Sequence, residues 1–140
     1  MRRRFSTFVA VSLIVVAVPA CRDNSTVELE PPATKVEIEG TDRYRVTLTP
    51  QAVERLDIQT ADVTEAEGHL AITSDALILD TNGDFWVYVN VEPNTYERAA
   101  LESVREVDGQ ALYAEGPAAG TPVVYVGVAE LYGEETGVGK

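Results

Sequence analysis

The chain has little of what reactive centres are usually built from. It contains one cysteine (Cys21), one histidine (His69) and one methionine, the initiator. Two residues of the His and Cys type cannot supply the base and ligand sets of a nucleophilic triad or a zinc site. Soft-metal chelation by methionine is excluded in the same way. Without a second cysteine no disulfide can form, so stability has to come from packing, for which an apolar content of 45% is ordinary. Phosphate-cradling loops are missing as well, since no G-x-G repeat or G-K-[ST] run precedes a helix. The longest apolar run, residues 8–18, is broken only by Ser12. It falls well short of the roughly 20 residues that a membrane-crossing helix needs.

The short run does have a meaning where it stands. It follows Met1-Arg2-Arg3-Arg4, and a cationic start before a short apolar stretch is the layout of a cleaved secretion signal over residues 1–20. At its end, Val18-Pro19-Ala20-Cys21 resembles the lipobox of bacterial lipoproteins, with Pro19 departing from the usual small or β-branched residue. The resemblance implies that the Cys21 sulfur carries a diacylglycerol and that Cys21 becomes the mature amino terminus. A free thiol behind an ordinary signal peptide is the other reading. An unpaired thiol is awkward in an oxidising compartment, however, and two or three acyl chains anchor lastingly where one binds marginally.

Basic residues are scarce. Beyond residue 20 there are eight against 23 acidic ones, a formal charge of −15. Nucleic acid is therefore not an expected partner, because phosphate backbones are bound through clusters of Lys and Arg. Anionic headgroups should repel the domain too, leaving it held off the bilayer by its tether. That tether is expected over residues 21–40, a polar, acidic segment with Pro31-Pro32 that reads as disordered and would span about 25 Å as a flexible chain.

About 100 residues remain, enough for one domain. "YRVTLT", 44–49, alternates like a strand, and Thr49-Pro50 with Ala52, Val53 and Leu56 on one face predicts a capped short helix. "DIQTADVTEAE" returns to β character, with a bulge or bend where its apolar parity shifts. Residues 69–91 read as a hairpin turning at Asn82-Gly83, both residues taking positive φ. In its second strand Phe85, Val87, Val89 and Val91 are expected in the core. Trp86 and Tyr88 lie on the opposite face, where they either cover a second layer or form an interaction surface. Residues 94–107 lean helical by propensity, with Asn94 and Glu97 spaced as a capping box. "QALYAEG" reads as a strand, "GPAAGTP" as a turn and "VVYVGVAEL" as a buried strand; residues 134–140 are expected to fray as a flexible tail.

His69 reads as a surface residue. "DTNGD", 80–84, resembles a calcium loop, but its glycine is misplaced for an EF-hand and no later Glu completes the cage, so a turn is expected. No metal, cofactor or catalytic residue is expected.

Two stretches carry a family resemblance. "VTLTPQAVERLDIQTADV", 46–63, resembles the opening of bacterial periplasmic adaptor proteins, the membrane fusion proteins of resistance-nodulation-division efflux systems. Residues 76–133, with A-L-I, the turn, W-V-Y-V and G-P-x-x-G-T-x-V-V in order, resemble their carboxyl-terminal membrane-proximal domain. Full adaptors place a β-barrel, a lipoyl-like domain and a long helical hairpin between these stretches, where this chain has only residues 64–75. The resemblance implies a stand-alone membrane-proximal domain over residues 41–133, a strand rather than a helix at 96–107, and docking on an inner-membrane transporter or a full-length adaptor. The expectation is thus a mainly β fold, a small roll or barrel-like antiparallel sheet with one short helix, in a non-enzymatic lipoprotein of the bacterial envelope facing its extracytoplasmic side. The rival readings are a degenerate adaptor remnant and a small-molecule or ion-binding lipoprotein whose pocket is lined by Trp86, Tyr88 and Tyr125.

Overall fold

A computed structural model describes residues 30–137. The signal segment, Cys21, the first part of the tether and residues 138–140 lie outside the described residues. The fold is mainly β, as expected. Eleven strands occur among the described residues: β1 (Ala33–Glu37), β2 (Tyr44–Leu48), β3 (Gln59–Asp62), β4 (Thr64–Ala66), β5 (His69–Thr73), β6 (Ile78–Leu79), β7 (Phe85–Glu92), β8 (Thr95–Leu101), β9 (Arg105–Val107), β10 (Gln110–Tyr113) and β11 (Pro122–Val126). Two helices accompany them, α1 (Pro50–Arg55) and α2 (Val128–Thr136). The strands form two antiparallel sheets that do not close into a barrel. The larger runs β1-β2-β8-β7-β11-β3, with β6 also pairing with β7; the smaller runs β4-β5-β10-β9.

Strand β7 is central because its two faces are both covered. Val87 enters a core between the sheets with Val63, Ile72, Leu101, Ala111 and Val123. Tyr88 enters a second core with Val46, Leu48, Ala52, Tyr96, Val124 and Leu131, where the helices lie on the larger sheet. Trp86 packs against that second cluster, so of the two readings of this face the covering one holds. The first face is less uniform than expected, for Val91 is exposed while Val87 is fully buried.

The helix at 50–55 forms as its sequence predicts. Thr49 Oγ1 accepts from the Ala52 amide at 3.2 Å, Pro50 occupies the first turn, and Ala52 is buried against the sheet.

Several expectations are corrected. Part of the supposed tether is ordered, since β1 pairs residue by residue with β2 from Ala33↔Leu48 to Glu37↔Tyr44. Acidic composition does not prevent strand formation where a neighbouring edge offers a full ladder and the alternation is intact. The long hairpin is also divided. Only Ile78 and Leu79 pair with β7, while β5 pairs with β4 and β10 in the other sheet, separated by a 3₁₀ turn at Ser74–Ala76. Residues 80–84 do turn, although only Gly83 has positive φ. The turn is organised by Asp80, whose Oδ1 accepts from the amides of Asn82 and Asp84 at 2.8 and 3.0 Å. The paired positive φ values expected there occur instead at Glu67-Gly68 and Asp108-Gly109, between β4 and β5 and between β9 and β10.

Residues 95–101 are strand β8, against local helix propensity. Asn94, read as a helix cap, takes φ 58° in the turn from β7 to β8, and β8 then pairs with β2 and β7 on either side. Two ladders outweigh propensities of a few tenths of a kcal/mol per residue.

The frayed tail is likewise corrected, and so is the second half of the strand expected over "VVYVGVAEL", 123–131, which is helical from Val128. Beyond Val126 the chain leaves the sheet at Gly127 and enters α2, which buries Leu131 and Glu135. Gly127 suits this corner because its φ is +85°, and a Cβ there would also press on the end of the Ile58 side chain. A second, longer helix thus joins the one expected.

Candidate functional site

The polar chemistry of the domain collects where α2 crosses the larger sheet. Leu131 and Glu135 stand four residues apart, so both project from one face of α2 toward the sheet. Leu131 supplies apolar contact. Glu135, with its side chain only 1% exposed, brings a carboxylate into the same interface. A buried charge is tolerable only when paired and hydrogen-bonded, and three elements meet that need. The Tyr88 hydroxyl on β7 donates to Glu135 Oε2 at 2.5 Å, the Tyr44 amide on β2 donates to Oε1 at 3.2 Å, and Arg98 Nε on β8 lies 3.2 Å from Oε2. The Arg98 contact is an ion pair without hydrogen-bond alignment, because the Nε–H finds no acceptor along its own direction.

Around this pair sit aromatic and cationic groups. The Arg98 guanidinium lies 4.6 Å from the Trp86 ring centroid and 6.0 Å from that of Tyr132. Arg43 approaches the same Trp86 ring at 5.9 Å and donates from Nη1 to the Arg98 carbonyl at 2.8 Å. Lys35 on β1 donates from Nζ to the Glu135 carbonyl at 3.0 Å, placing a cation at the carboxyl end of α2, where the helix dipole favours it. On the far side, Trp86 Nε1 donates to Asp80 Oδ2 at 3.1 Å, so the turn and the aromatic wall hold each other.

The protonation states follow from these contacts. The Asp80 carboxyl is held below its ordinary value, chiefly by the Asp84 amide, with the Asn82 amide and the Trp86 indole adding to the effect. Tyr88 is pushed far up, first by burial and then by the Glu135 carboxylate it donates to. The neutral phenol donating to that carboxylate fastens β7 to α2. A groove of about 380 Å³ opens above it, with Lys35, Asp42, Asp80, Arg98, Tyr132 and Glu135 among its walls.

The residues singled out from sequence fare differently. Trp86 and Tyr88 come together here, on one face of β7. Tyr125 does not join them: it lies on the other face of the larger sheet, packs against the core between the sheets, and donates to Gln59 Oε1 at 2.9 Å. A pocket lined by all three aromatics is therefore not formed, because neighbouring parity on β11 sends Val124 to one core and Tyr125 to the other. His69 is exposed, with Nδ1 3.1 Å from the Glu67 carbonyl. Cys21 is outside the described residues. Arg98 and Glu135 were missed. Arg98 could have been found once 95–101 is read as a strand, since it then shares a face with Tyr96; Glu135 carried no signal beyond its place in an assumed tail.

Among the described residues no three or more His, Cys, Asp or Glu side chains are grouped to hold a metal ion, and no helix is long and apolar enough to cross a membrane. Comparison with protein families, curated proteins and solved structures finds no match to this chain.

Proposed function

We propose that this protein is a lipid-tethered, non-enzymatic docking module of an envelope transport complex, an adaptor-like membrane-proximal domain that works by contact. The observation that carries the reading is how the two resembling stretches fold. Residues 46–63 and 76–133 interleave in one β module, and residues 64–75, where an adaptor would hold its other domains, form a strand pair closed by Glu67-Gly68. The chain thus has a compact domain and nothing among its described residues with which to reach across the periplasm. The acidic surface and the lipobox-like run at Cys21 agree with a module that stands off a bilayer on a tether.

The reading is tested by crosslinking in cells from exposed positions such as Val36 and Leu79 on the larger sheet. The trapped species should be a transporter or an adaptor. Recovery of no specific partner, or native protein found in the soluble fraction, refutes it. Mass spectrometry of the mature amino terminus checks the anchor separately: a diacylated Cys21 is expected, and an unmodified Cys21 or a retained residue 1–20 removes it.

A further inference from the structure

The fold engages the Arg98 guanidinium through Nε alone. Arg98 is 8% exposed, yet its only polar side-chain contact among the described residues is the Nε ion pair with Glu135. Neither terminal nitrogen meets an acceptor there, and Arg98 lines the groove. A guanidinium presents its donors in a rigid plane that matches a carboxylate bidentately, and stacking on Trp86 at 4.6 Å holds that plane in place. The nearby acids are themselves hydrogen-bonded. Both Glu135 oxygens are engaged by Tyr88, Tyr44 and Nε, and both Asp80 oxygens by the amides of Asn82 and Asp84 and the Trp86 indole. Lys35 adds positive charge on the groove wall, while Asp42, also on it, disfavours ligands of higher negative charge.

We propose that this groove is a carboxylate-binding site in which the terminal nitrogens of Arg98, backed by the Trp86 ring, grip one carboxylate beside Tyr132. A groove of about 380 Å³ admits a small organic acid or a single acidic side chain. The proposal stands apart from the docking reading, and either can fail alone.

The test uses the chain's one tryptophan, which is Trp86 itself. Its fluorescence is followed as the purified protein is titrated with sodium acetate at constant ionic strength, with sodium chloride as the control. A saturable change with acetate alone is expected. Arg98→Lys keeps the charge but loses the planar fork, and should weaken acetate binding on the order of tenfold. An absent or linear response, the same response to chloride, or unchanged affinity in a folded Arg98→Lys protein overturns the proposal. Inorganic phosphate binding more tightly than acetate does so as well. Should Arg98→Lys fail to fold, the wild-type comparison of acetate with chloride decides alone. N-acetyl-aspartate N-methylamide then identifies the source: tighter binding than acetate indicates a carboxylate borne by a partner protein, equal or weaker binding a free acid.

Discussion

Val87 and Tyr88 are neighbours on one strand and meet different chemistry. Val87 faces a core of Val63, Ile72, Leu101, Ala111 and Val123, where Tyr113 supplies the polar tip by donating to the Pro117 carbonyl at 2.7 Å. Tyr88 faces α2, where a buried ion pair is threaded through the apolar contacts. Apolar burial is non-directional and rewards contact without specifying a partner atom. A carboxylate that must meet a hydroxyl, an amide and a guanidinium at once permits only one rotation and one height of α2. The core between the sheets gives this domain cohesion, whereas the helix face gives it geometry.

The contrast can be broken most directly at Glu135. Glu135→Ala leaves the Arg98 charge buried without its carboxylate and should cost about 3–5 kcal/mol by urea unfolding. Replacing both partners, Arg98→Met with Glu135→Leu, should recover most of that loss, because the penalty belongs to the orphaned charge. A loss below about 1 kcal/mol for Glu135→Ala would mean that the pair does not hold the helix.

On the other face, Val123→Ala removes two methyl equivalents from a fully buried position and should cost about 2 kcal/mol. The sharper part of this prediction is spectroscopic. Trp86 fluorescence should stay unchanged in Val123→Ala and shift in Glu135→Ala; equal shifts would show that the two faces are one unit.

Tyr88→Phe keeps the ring and removes one charge-assisted hydrogen bond, worth about 1.5 kcal/mol. It also alters the alkaline limb. Tyr88 and Tyr113 have an ordinary value of 10.0, and burial pushes Tyr113 up to about 12 and Tyr88 further. A group whose folded value is raised stabilises fully below its unfolded value and loses that contribution as pH rises through the folded one. Stability should therefore fall above about pH 10, and less steeply in Tyr88→Phe, as measured by urea midpoints across pH 9–12.

The smallest effect is expected at Asp80. Its carboxyl is depressed below an ordinary 3.8, so its contribution is present above that value and lost as pH falls through the lower folded one. Asp80→Asn should remove this part of the acid loss, read from the acid titration of Trp86 fluorescence; an unchanged profile would show that the turn holds without the charge.

What could be read from the chain before folding varied with the range of the interaction. Thr49-Pro50 announced α1 because capping is settled within four residues. The strand at 44–48 followed from alternation, while the apolar run 123–131 announced a strand that holds only to Val126, because Val128–Leu131 join α2. Residues 95–101 did not reveal themselves by propensity: Ala99, Ala100 and Leu101 favour a helix, and only the ladder with Val87, Trp86 and Phe85 of β7 turns them into a strand. The resemblance to adaptor proteins pointed the right way for this segment. Sheet membership was hidden as well, since β5 and β7 look alike in pattern but pair in different sheets. Of the candidate site, Trp86 and Tyr88 were visible on one face of a strand, but Arg98 and Glu135 lie 37 residues apart in number and meet only across packed elements.

The amino-acid sequence by itself determined a mainly β domain of high negative charge, with too few histidines and cysteines for a triad or zinc centre. Those properties come from composition and from contacts between near neighbours. Tertiary structure alone decided which strands share a sheet, that residues 128–136 form a helix, and that Tyr125 is turned away from Trp86 and Tyr88. It also decided the pairing of Arg98 with Glu135, because a charge distant along the chain finds its counterpart only after the backbone has brought the two faces together.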